Sequence, residues 1–464
     1  NFSAENIAVQ NTGSGSDVYL NNIPTAATVT MEADTDGGDL RYTQQGADLA
    51  IGDVTGFAYV TNGGINTGKN SGSGGLVYLN GSNNVSLGAD VDTANDSTTT
   101  AGAITIEAIQ GISWTSDTAN IKTDASTTDA NIQLVADKLN GGAGSIDFSL
   151  DAGADGSLVQ SGTGNVNVSG EDVKLYDGSI SSTGTVSLTA GRDGTTTNGI
   201  YSAAAADATT DVSAANLDLT VNGGGIGQSG GSTLEFTAST QLDAEAGGAI
   251  HLTSTTDLPV GLIEVSGTAA NVSLVATGSI TDVDATEASD VMNANVLSLT
   301  STTGVGTTGK TGALEIDSTS LSVANATSGG VFLNGQGTGG LTVTSIAANT
   351  AGNVELYASE DLTLTSVTSA DGSITVTGEG TISAISVVST TDSDSNDIAL
   401  YGTGITATLI DAKTLGDVTL TATTGSIDQD TTDDKDDVTA DVLTASAATG
   451  IDLDSTVSSI TASV

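Results

Sequence analysis

The chain has 464 residues and a formal charge of −47, from 56 acidic and only 9 basic side chains. So few cations cannot neutralise a phosphate backbone or hold an anionic lipid surface, which argues against nucleic acid and membrane partners. No run approaches the roughly 20 apolar residues of a membrane-spanning helix, and the absence of cysteine excludes disulfide frameworks and thiol chemistry. Glycine is abundant at 60 residues, proline occurs twice, and aromatics make up 3%. Polar low complexity with high net charge favours disorder. Against it stand 37% hydrophobic residues, a mean hydropathy of +0.07, and the placing of those residues at strand period.

Residues 1–100 carry the first copies of a recurrent phrase, Val18-Tyr-Leu20-Asn21 and Val77-Tyr-Leu79-Asn80, in a loose rhythm. Residues 101–464 keep it more regularly. Copies include Ile104-Thr-Ile106, Ile132-Gln-Leu134, Val166-Asn-Val168, Val186-Ser-Leu188, Ile250-His-Leu252 and Val272-Ser-Leu274. Over residues 329–430 the phrase starts at Val331, Val354, Ile374, Ile398 and Val418, in steps of 354−331=23, 374−354=20, 398−374=24 and 418−398=20. A second apolar beat falls between them at Leu341/Val343, Leu362/Leu364, Ile382 and Ile405. Short alternating runs at a fixed step, separated by Gly, Ser, Thr, Asn and Asp, predict an all-β parallel β-helix solenoid. Each step of about 20–24 residues is one coil. The length alone suggests about three domains, but a solenoid grows by stacking rather than by enlarging one core. At about 4.8 Å per coil, roughly twenty coils give a rod on the order of 100 Å.

Period two turns Val354 and Leu356 inward and Glu355 outward. Gly, Asn and Asp suit the corners. Proline is confined to Pro24 and Pro259, as expected where strand amides donate to ladders. Several coils bulge into polar insertions at 90–100, 191–211, 282–293, 389–397 and 428–437. A larger repeat is superimposed in the C-terminal half. Val272, Gly278 and Gly304 recur as Val418, Gly425 and Gly450, at offsets of 418−272=146, 425−278=147 and 450−304=146. A block of several coils has been duplicated.

Phrases such as Gly416-Asp-Val-Thr-Leu-Thr-Ala-Thr-Thr-Gly-Ser-Ile427 and Gly184-Thr-Val-Ser-Leu-Thr-Ala-Gly191 resemble the β-helical repeats of filamentous-haemagglutinin-like exoproteins and giant bacterial surface adhesins. The resemblance covers about residues 100–464. It implies a right-handed parallel β-helix, an extracellular or cell-surface location, and structural or adhesive work. No counterpart of that family's N-terminal secretion domain is found. The chain opens at Asn1 and closes within a strand-like phrase, which reads as a segment of something longer.

The acidic insertions are the candidate sites. Asp428, Asp430, Asp433 and Asp434 crowd one segment, and Asp392, Asp394 and Asp397 another. Hard cations such as Ca²⁺ take several oxygen ligands, which closely spaced Asp supplies. Neither an EF-hand spacing nor the nonapeptide of calcium β-rolls is present, and Asp is equally a turn former. No organic cofactor motif is found. Paired carboxylates would serve a glycosidase, but their abundance singles out no pair, and no catalytic residues are assigned. Trp114, the one tryptophan, reads as core, and His251, between Ile250 and Leu252, as an outward side chain without a role. Tyr176, Tyr357 and Tyr401 share one register and are expected to stack as a ladder. The sequence thus predicts a non-enzymatic structural fibre, sheath or filament subunit that self-associates head-to-tail or laterally. The alternative is an adhesin whose loops contact a surface glycan or protein. A polysaccharide-active enzyme is the third reading.

Overall fold

A computed structural model describes residues 2–55, 64–68, 72–94, 99–125, 128–139, 141, 144–148, 158–176, 178–191, 199–202, 210–229, 233–267, 269–283, 290–430 and 435–464. These form a parallel β-solenoid of about 16 turns with almost no helix, divided into two compact units, residues 1–253 and 254–464.

Each coil of the regular stretches has three strands, not two. In the second unit one column of inward residues runs Val331, Val354, Ile374, Ile398, Val418, Leu443. A second runs Leu341, Leu362, Ile382, Ile405, Ile427, and a third Ile346, Val367, Val387, Ile410, Val438. Between Ile346 and Val438 the third column sits on strands of two or three residues, such as Val367–Ser369 and Ile410–Asp411. One apolar side chain per strand is too short a run to register as alternation.

The first unit has the same three columns. Leu40, Val77, Ile104, Ile132, Val166, Val186, Leu217 and Leu242 stack on one face. Leu49, Val85, Ile112, Ile146, Val173 and Ile200 stack on the second, and Ile65, Val91, Ile121, Val159, Ile180, Val212 and Phe236 on the third. Its steps are longer and uneven, for example 77−40=37 and 166−132=34 against 186−166=20. Insertions lengthen individual coils, so the chain makes fewer turns than the roughly twenty that a constant short step implies.

The core is narrow and made of β-branched and Leu side chains, nearly all fully buried, each contributing about 1.5–3 kcal/mol by leaving water. Trp114 and Phe148 stack inside it with ring centroids 4.0 Å apart. Corners demand glycine where coils touch. A Cβ on Gly75 would lie 2.1 Å from the Gly38 carbonyl oxygen, and one on Gly102 would lie 2.2 Å from that of Gly75. The tyrosine ladder does not form. Register pairs Tyr357 with Thr377 and Thr377 with Tyr401, so a threonine separates the two rings, and Tyr176 lies in the other unit.

Candidate functional site: stapling carboxylates and two grooves

Many of the described corner Asp and Asn side chains perform one repeated task. The side-chain oxygen accepts the backbone N–H at the start of a strand one coil further on. In the first unit Asp17 accepts from Asp39 (3.0 Å) and Asp39 from Leu76 (2.9 Å). Asp48 accepts from Asn84 (3.2 Å) and Asn84 from Gly111 (3.0 Å). In the second unit Asp361 accepts from Thr381 (2.7 Å), Asp397 from Asp417 (3.0 Å) and Asp417 from Val442 (3.1 Å). A carboxylate–amide bond of this type is charge-assisted and stronger than a neutral one. The Thr381 amide, with the Thr381 hydroxyl, holds the Asp361 carboxyl below the usual range. The Thr414 hydroxyl, with the Thr414 and Leu415 amides, does the same for Asp392. Much of the Asp content therefore joins coil to coil.

Three staples are buried, and each closes a polar insertion. Asp211, Asp290 and Asp437 are 1%, 3% and 2% exposed. Asp211 Oδ2 accepts the Glu235 N–H (2.9 Å), Asp290 Oδ2 that of Glu315 (3.1 Å), and Asp437 Oδ2 that of Asp454 (3.1 Å). The N–H of each Asp in turn donates to the carbonyl of the same partner, at 2.9, 3.0 and 2.9 Å. At Asp290 a third carboxylate joins. Asp282, Asp290 and Glu315 bring one oxygen each within 4.8 Å of one another, and Asn334 Nδ2 donates to Glu315 Oε1 (3.2 Å). Burial, and then the charges of Asp282 and Glu315, push Asp290 up to about 8 against the opposing Glu315 amide bond. Such a group holds a proton near neutrality or, deprotonated, offers oxygens to a hard cation.

The residues predicted as calcium ligands lie elsewhere. Asp392 and Asp397 are exposed and staple Thr414 and Asp417; Asp394 is exposed beside them. Asp428 is exposed and accepts from the Ser426 hydroxyl (2.5 Å), while half-buried Asp430 accepts from Thr408 Oγ1 (3.4 Å). Asp433 and Asp434 lie outside the described residues. Among the described residues, the one grouping of three carboxylates at this spacing is Asp282, Asp290 and Glu315. The duplication held a signal for it: Asp290-Val291 recurs as Asp437-Val438 at 437−290=147, the offset of the block.

Two grooves open on the second unit. One, of about 680 Å³, is lined by Glu264, Asn293, Asn295, Asp317 and the glycines of residues 337–340. The other, of about 620 Å³, is bounded by Lys310 of the segment 306–313 and lined further by Asn334, Gln336, Tyr357, Thr377 and Glu379. Elsewhere four of the described cations form ion pairs: Arg41 with Asp39, Lys138 with Glu107, Lys174 with Asp172, and Lys413 with Asp411. His251 is half-buried, and burial lowers its pKa. No known protein family, curated protein or solved structure matches the chain.

Proposed function

We propose that this chain is a structural, non-enzymatic element of an extracellular or cell-surface fibre, sheath or filament. The observation that carries this reading is the assignment of its charged residues. Asp side chains are spent on coil-to-coil staples and most described cations on local pairs, which supports stiffness rather than turnover. Parallel ladders continue from coil to coil through each unit, and the outward carboxylates keep it hydrated or let Ca²⁺ bridge neighbouring units. Self-association, head-to-tail or lateral, is part of the proposal; nucleic acid and lipid are not among its partners. The test is negative-stain imaging of purified protein with and without a calcium chelator. Narrow filaments are expected, dispersing on chelation where calcium bridges them; isolated particles under both conditions would overturn the fibre reading.

The two grooves favour a second reading, an adhesin that contacts a surface glycan or protein. Deleting their walls would then abolish adhesion while leaving the fold intact.

A further inference from the structure

The groove bounded by Lys310 is an addition to the solenoid, not a requirement of it. In the second copy of the duplicated block, Ile451 is followed by the stapled Asp454 after 454−451=3 residues. Their counterparts Val305 and Glu315 are 315−305=10 apart, although they occupy the same two positions in the coil. The coil closes without the extra 10−3=7 residues. These cross the strand Val331–Gly335 and reach the next coil, where the Thr308 hydroxyl donates to Glu355 Oε1 (2.8 Å) and the Gly309 N–H to Oε2 (3.0 Å). The segment is thereby pinned as an arch, with Lys310 bordering the groove.

The space beside it is about 620 Å³, within the roughly 300–1,000 Å³ of small-molecule sites. Its lining is chemically mixed, with slightly more apolar than polar surface. Gln336 brings a carboxamide, Thr377 a hydroxyl, Glu379 two acceptor oxygens and Lys310 donors, while Asn334 is buried and holds Glu315. Tyr357 supplies the one aromatic ring, and with Ala358 and the aliphatic stems of the longer side chains it gives the groove an apolar part. A ligand that matches this lining presents hydroxyls to the polar side chains and an apolar C–H face to the tyrosine ring, as a sugar does. With a net charge of −47 the chain repels polyanions.

The geometry points to a binding site for a neutral oligosaccharide between the arch at 306–313 and the outward face around Tyr357. This deepens the adhesive reading and rests on it for its use. Filament formation and glycan binding can fail separately, so the two experiments distinguish their failures.

The full chain is applied to an array of neutral gluco-, manno-, galacto- and xylo-oligosaccharides printed beside uronic-acid oligosaccharides. Retention on at least one neutral series is expected. Tyr357→Ala, and a chain in which residues 307–312 are replaced by two glycines, should each bind about tenfold more weakly. Circular dichroism and melting temperature should match the parent, and Lys122→Ala, in the other unit, should bind as the parent does. Should the shortened arch fail to fold, Tyr357→Ala and Glu379→Gln decide. No retention, retention on uronic-acid structures only, or binding that survives Tyr357→Ala overturns the proposal.

Discussion

Asp290 pairs with Glu315 to close one coil, and 437−290=147 residues later Asp437 pairs with Asp454 to close its duplicate. The backbone exchange is the same in both, with N···O distances of 3.0 and 2.9 Å from Asp to the partner carbonyl. Their surroundings differ. Glu315 is 1% exposed, Asp282 stands beside it, and the arch at 306–313 precedes it; Asp454 is exposed to water. The first staple is thereby driven towards the protonated form, while the second retains solvent on one side. One sequence device takes on different chemistry according to what covers it, because desolvation rather than the residue type sets which charge state is affordable.

The comparison can be broken most forcefully through the residue that follows each staple's partner. Ile316 pairs with Val291 and is fully buried, whereas the corresponding partner of Val438 is Ser455. Ile316→Ala should cost about 2–5 kcal/mol in urea unfolding, and Ser455→Ala less than about 0.5 kcal/mol. Equal costs would show that the two coils are covered alike. The staples themselves come next. Asp290→Ala strands a buried amide and should cost about 1–3 kcal/mol at pH 6. Asp437→Ala should cost nearer about 0.5–1.5 kcal/mol, since water can reach the Asp454 side.

The smallest and most diagnostic effect is in the pH profile of the melting temperature. Asp290 is raised in the fold, so the native state holds an extra proton between the ordinary carboxylate range and about 8. Its contribution is complete at low pH and is lost as pH climbs through that window. Asp361 and Asp392 are depressed, so theirs is present above the ordinary range and disappears as pH falls. Asp290→Asn, neutral at every pH, should flatten the alkaline decline and leave the acid limb unchanged. An unaltered alkaline limb would remove Asp290 as its source.

Much of the fold was legible because its dominant signal is periodic. Val354, Leu356, Leu362 and Leu364 are inward at the spacing their alternation announces. The third strand escaped because a residue such as Val367 stands alone between Ser366 and Thr368, and one apolar position has no period. The site was less legible for a related reason. Asp392 and Asp290 look alike in a row of letters; only the coil register decides which has an exposed neighbour and which is walled in by Asp282 and Glu315. The groove was invisible in the phrase itself, since it arises from residues present in one copy of the block and missing from the other.

The staples also carry a direction. In each staple's side-chain bond, the accepting oxygen belongs to the earlier coil and the donated N–H to the later one: Asp17 then Asp39, Asp361 then Thr381, Asp437 then Asp454. A coil leaving the ribosome thus meets side-chain acceptors already fixed in its predecessor. Its contacts span only a few tens of residues, the short separations that favour rapid ordering. Within each unit, assembly can keep pace with synthesis from the N-terminal side, one coil acting as the mould for the next.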